Sequence, residues 1–129
     1  MPNAESRQHS AELKVRTKEF AIRVFRLVDA LPKTIQGRVV ADQIMRSASS
    51  VAANYHATCR AQSRAEFIAK VGVVEEEADE TLFWLELIGE TELLPATKLN
   101  PLLREADEIV AIMAASRKSA IGNRQSAIS

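Results

Sequence analysis

Cysteine is almost missing from this chain: Cys59 is the only one in 129 residues. An intrachain disulfide is therefore excluded, and a reducing cytoplasm is the natural setting. Glycine and proline are scarce as well, at four each, which leaves little of the turn chemistry that an all-β fold consumes. Aromatic residues come to one Trp, one Tyr and four Phe, so most of the core volume must be aliphatic. No stretch approaches the roughly 18 consecutive apolar residues of a membrane helix. The opening MPNAESRQHS is polar and has no signal-like apolar run. A soluble cytoplasmic protein with no membrane partner is expected, as one domain large enough to close a core without metal or disulfide support.

Net charge is absent too, with 17 basic residues against 17 acidic ones. The balance hides a segregation. Up to Val74 there are twelve Lys and Arg against six Asp and Glu; from Glu75 onward there are five against eleven. Basic and acidic helices can pair inside one bundle, which needs nothing further. The alternatives are a basic surface for an anionic partner, or complementary faces between subunits.

What the chain has in quantity is Ala, Leu, Glu and Arg at helical spacing. Residues 1–10 read as a flexible N-terminus, 11–119 as a four-helix bundle and 120–129 as a flexible tail. The first helix runs from about Ser10 to Ala30, with Leu13, Phe20, Val24, Leu27 and Leu31 in register, and stops before Pro32. The second covers about Ile35 to Arg60 on a stripe of Val40, Ile44, Ala48, Val51 and Tyr55, with an irregular first turn expected around Gly37. Ser63 and Glu66 form a capping box that opens the third helix, which continues to a C-cap near Gly89. The fourth helix runs from about Ala96 to Ser119, with Pro101 confined to its first turn or nearby because a deeper position would cost about 3 kcal/mol. Four helices with short connections imply an all-α, antiparallel up-down-up-down bundle.

The third helix carries apolar residues on two sides. Phe67, Val71, Val74, Ala78, Leu82 and Leu85 make the core stripe, while Val73, Phe83, Trp84 and Leu87 fall behind it among glutamates. Val15, Ile22 and Phe25 lie similarly off the stripe of the first helix. These seven are candidate contacts in a homo-oligomer. The second helix holds a polar stripe of Gln43, Ser47, Ser50 and Asn54. Small residues there allow close helix approach; a ligand or partner site is the other reading. Arg46 is placed to meet Glu76, Glu77 or Glu80 across the bundle and to fix register, with little net stability because desolvation offsets the attraction.

Catalytic patterns are missing. Gly72 and Gly89 are isolated, and neither His9 nor His56 has the Glu-x-x-His spacing of di-iron bundles. The acidic run from Glu75 to Glu80 points to several sides of its helix. Cys59 is expected to pack as a small hydrophobe. No enzyme activity, metal or cofactor is expected.

The ordered motifs Leu31-Pro32, Gln43 to Asn54 (QIMRSASSVAAN), Ser63 to Ile68 (SRAEFI), Glu76 to Thr81 (EEADET) and Trp84-Leu85 resemble the four-helix bundle protein family. That family is also known for proteins encoded by intervening sequences in large-subunit ribosomal RNA genes. It is similar in fold to the accessory variability determinant of diversity-generating retroelements. The resemblance spans about residues 12 to 118 and implies a ring-shaped homopentamer. The family's Asn-x-x-Glu-Gly is replaced here by Asn54-Tyr55-His56-Ala57-Thr58. The leading expectation is a non-enzymatic interaction or scaffolding protein. The alternative is an RNA- or DNA-binding ring using Arg16, Arg23, Arg26, Arg38, Arg60 and Arg64.

Overall fold

A computed structural model describes residues 4–128 of the chain, with side chains described through Gly122. Four helices follow one another: α1 (Ala4–Val28), α2 (Ile35–Thr58), α3 (Arg64–Glu90) and α4 (Ala96–Ile128). α1 packs on α2 and α4, α3 packs on α2 and α4, and among the described residues neither diagonal pair brings Cα atoms within 8 Å. Paired residues give the direction of the chain. Arg117 of α4 reaches Glu75 of α3, while Leu99, nearer the start of α4, lies against Gly89 near the end of α3. These two helices are antiparallel.

The stripes read from spacing face the common core, with Phe67 and Leu82 of α3 only half-buried against it. Phe20, Val24, Ile44, Ala48, Val51, Val71, Val74, Ala78, Leu85, Ala106, Ile109 and Met113 are all fully buried. Helix limits differ more than stripes do. Helix α1 begins at Ala4 instead of Ser10, and α4 continues through Ile128 into the stretch expected as a flexible tail. Residues 1–3 and 129, also assigned to flexible termini, lie outside the described residues. Apolar periodicity marks which side of a helix is buried; the exposed first turns of α1 carry no such mark.

Local signals were adjusted in four places. Ser63 Oγ accepts from Glu66 N at 3.1 Å, but the Glu66 carboxylate accepts from Gln62 N, one residue before the cap. Gly37 sits in a regular first turn capped by Thr34, whose Oγ1 accepts from Gly37 N at 3.1 Å. Its smallness serves a close approach: a Cβ there would stand 1.9 Å from the Pro32 carbonyl oxygen. The C-cap of α3 is Thr91, not Gly89. Glu92, at φ 57°, holds the left-handed position of a Schellman turn, closed by Glu92 N to Gly89 O and Leu93 N to Ile88 O. Finally, Pro101 is the sixth residue of α4, beyond its first turn. Pro101 and Thr97 are both exposed, so solvent can take the carbonyl that the missing N–H leaves free.

Candidate interaction surfaces

The seven off-stripe residues divide into two groups. Val15, Ile22, Phe25, Val73 and Phe83 are exposed, joined by Ile35 and Val39 of α2, which the spacing had not singled out. Trp84 and Leu87 are half-buried, and Trp84 packs against its own core. The indole N–H of Trp84 donates to Glu80 at 3.3 Å, and its ring meets Phe83 edge-on at 5.0 Å. The outermost apolar group on α3 is therefore Phe83, with Trp84 as its backing.

Part of the segregated charge pairs between helices, one of the arrangements its distribution suggested. Three ion-pair sets join helices. Arg16 Nε donates to Glu105 at 2.8 Å and its Nη2 reaches Glu108. Arg46 donates to Glu77 at 3.0 Å and also to Glu80. Arg117 donates to Glu75 at 2.9 Å. Glu76 stays exposed and is felt by Arg117, not by Arg46. The bidentate Arg16 contact holds the Glu105 carboxyl below the usual carboxylate range.

One group of positive charges outside these pairs lies between α1 and α2. Lys14, Lys18 and His56 border a cleft of about 500 Å³ whose floor is Val15, Ala21, Ser49, Ala52 and Ala53. Lys14, then loss of hydration, then Arg60 and Lys18 push the His56 imidazole below its ordinary pKa. Lys14, Lys18 and Arg60 form none of the ion pairs among the described residues. A reading of the sequence could have marked this cleft from Lys14 and Lys18 at one helical spacing and the small residues of α2. It could not have shown that the two meet.

The polar stripe of α2 spends its hydrogen bonds inside the bundle. Thr81 Oγ1 lies 2.8 Å from Ser47 Oγ across the α2–α3 seam, with both residues fully buried. Asn54 Nδ2 donates to Ser50 O at 2.9 Å and to Ser50 Oγ at 2.8 Å, and Thr58 donates to Asn54 O. Gln43 is exposed. Among the described residues every buried side-chain polar atom has a partner; Ser47 closes the α2–α3 seam, while the Ser50 and Asn54 bonds run along α2 itself.

The six arginines do not converge. Arg16 is neutralised by α4, as above. Arg23 and Arg26 border a shallow α1–α4 cleft, and Arg38 donates to the Lys33 carbonyl in the α1–α2 connection. Arg60 and Arg64 flank the α2–α3 turn at the far end of α2. Cys59, expected to pack as a hydrophobe, is exposed where α2 ends. Tyr55, buried beside it, has its hydroxyl pushed up to about 12 by burial. Among the described residues no cluster of His, Cys, Asp or Glu converges as metal ligands would, and no helix is long and apolar enough to cross a membrane.

Comparison with known proteins bears on this arrangement of helices. The chain is similar to a structurally determined protein of unknown function from the S23 ribosomal protein family of Bacteroides thetaiotaomicron. Identity is 34%, the match covers 81% of this chain and 97% of that one, and the TM-score is 0.76. No curated protein matches. The family model for the 23S rRNA-intervening sequence protein matches residues 10–115, and the protein accordingly belongs to the 23S rRNA-intervening sequence protein family.

Proposed function

We propose that this protein is a non-enzymatic, cytoplasmic interaction protein that works as a homo-oligomer. The observation that carries this reading is the exposure of large apolar side chains at helical spacing on two helices. Val15 is 58% exposed, Ile22 and Phe25 are 42% exposed, and Phe83 is 55% exposed. Single exposed aliphatic residues are ordinary, but rows of them mark association surfaces. At about 25 cal/mol per Å² of apolar area, covering such rows supplies a drive for assembly that one copy cannot satisfy. Five copies is the number that the family resemblance implies.

Light scattering across a concentration series tests the reading. One chain is 14.2 kDa; a mass several times larger is expected. A mass that stays at one chain at every concentration would refute the homo-oligomer.

A second reading, RNA or DNA binding, is favoured by Arg23, Arg26, Arg60 and Arg64, which form none of the ion pairs among the described residues. Phosphate neutralisation predicts affinity that falls steeply with salt. No binding of a short RNA or DNA duplex in low salt would reject it.

A further inference from the structure

Phe83 sits in an unusual ring. The residues that share its helix face are those three, four and seven positions away: Glu76, Asp79, Glu80, Glu86, Leu87 and Glu90. All but Leu87 are acidic. Glu80 is engaged by Arg46, whereas Glu76, Asp79, Glu86 and Glu90 are exposed and form none of the ion pairs among the described residues. An aromatic side chain more than half exposed inside a ring of unpaired carboxylates is poorly placed for a solvated surface.

The cleft between α1 and α2 is its counterpart. The floor is apolar and made of small residues, the volume of about 500 Å³ accepts an aromatic ring, and the rim is Lys14, Lys18 and His56. Positive charge is dense enough there to disfavour protonation of His56. One face thus offers an apolar knob ringed by anions, and the other an apolar hole ringed by cations. The two do not meet within one molecule: α1 and α3 lie diagonally across the bundle, and among the described residues no Cα of one comes within 8 Å of a Cα of the other.

We propose that the α3 face centred on Phe83 docks into the α1–α2 cleft of a second copy, with Asp79 and Glu86 opposite Lys14 and Lys18. The contact is heterologous, head to tail, so every copy uses both faces, and copies add until the rotation closes. This rests on the homo-oligomer reading and specifies its interface. Charge complementarity fixes which surfaces meet, since juxtaposing like charges costs several kcal/mol. The apolar knob supplies the contact that excludes water.

Complementation by mixing tests the pairing. Lys14→Glu/Lys18→Glu breaks the cleft and leaves the α3 face intact; Phe83→Arg does the reverse. Each is expected to weaken association on the order of a hundredfold and to sediment as one chain of 14.2 kDa. An equimolar mixture restores one good interface, and is expected to give a pair of chains and nothing larger. As a second route, Asp79→Lys/Glu86→Lys placed in the same chain as Lys14→Glu/Lys18→Glu is expected to restore the wild-type mass. All of these positions are exposed, and unchanged helicity by circular dichroism verifies the fold. If both broken variants keep the wild-type mass, or the mixture stays monomeric, the pairing of these faces is overturned while an oligomeric wild type leaves the homo-oligomer standing. A wild type that is itself monomeric removes both.

Discussion

Two helical glycines, Gly37 in the first turn of α2 and Gly72 inside α3, should respond to the same substitution with opposite signs. Helix propensity alone predicts that Gly→Ala stabilises, by up to about 1 kcal/mol in a helix interior. At Gly72 nothing opposes this, because a Cβ would meet only Arg117 Cδ at 3.7 Å, an ordinary contact. Gly72→Ala is therefore expected to raise stability by about 0.5–1 kcal/mol. At Gly37 the same methyl group would lie 1.9 Å from the Pro32 carbonyl oxygen, 3.0 Å from its carbon and 3.3 Å from Thr34 Oγ1. The obstacle is backbone, which cannot swing aside as a long side chain could. The α1–α2 connection must move by more than an ångström, which overpacks or displaces the adjoining Leu31, itself buried. Overpacking of this kind costs about 1–3 kcal/mol. The shift also takes Thr34 off the cap it forms with Gly37 N, worth about 1 kcal/mol. Set against a propensity gain below about 1 kcal/mol, Gly37→Ala should destabilise by about 2 kcal/mol, a fall in Tm of about 8 °C for a chain of this size. Thermal and urea unfolding at one fixed protein concentration measures both, since association would otherwise shift the midpoint. If Gly37→Ala matches Gly72→Ala in raising Tm, the close approach at Pro32 is wrong.

Three further outcomes follow from the polar seams. Each hydroxyl has one proton, and Thr81 Oγ1 lies 2.8 Å from both Ser47 Oγ and its own helix's Glu77 carbonyl. Ser47→Ala should cost about 1 kcal/mol, whereas Ser47→Ala with Thr81→Val should cost less than the two single changes added, because both buried partners leave together. A double-mutant cycle that shows strict additivity would deny the contact. Glu105, whose pKa Arg16 depresses, lends stability that is fully present above the ordinary carboxylate pKa and lost as pH falls through the depressed value. The stability gap between wild type and Arg16→Met should therefore be larger at pH 7 than at pH 3, by urea midpoint; an equal gap would contradict this linkage. Arg46→Met should change the melting temperature or the oligomer mass if the Glu77 and Glu80 contacts set the register of α2 on α3, and a variant unchanged in both would remove that role.

How legible the molecule was depends on which physical question is asked. The helical period of Leu13, Phe20 and Val24, or of Val71, Val74 and Ala78, gives the angle at which a side chain leaves its helix, and at the centre of the core stripe burial follows from that angle. Short connections then bring α2 beside α3, so Arg46 could be placed near Glu77 and Glu80 by counting back from the turn. Angle does not say how far a neighbouring helix extends over a residue. Trp84 leaves α3 at nearly the same bearing as Val73, yet the bundle half covers it while Val73 stays exposed. Cys59 was misplaced for a similar reason: a helix end changes the surroundings of a residue without changing its type.

Spacing along one chain was enough to give four amphipathic helices, their core stripes, the Ser63 cap and the separation of basic from acidic halves. Packing of the helices was needed to show that Gly37 lies against the Pro32 carbonyl, that Glu92 takes the left-handed turn, that Ser47 of α2 closes on Thr81, and that Lys14, Lys18 and His56 surround one apolar cleft. Each of those depends on distances between atoms of different segments, and a pattern along one segment carries no such distance.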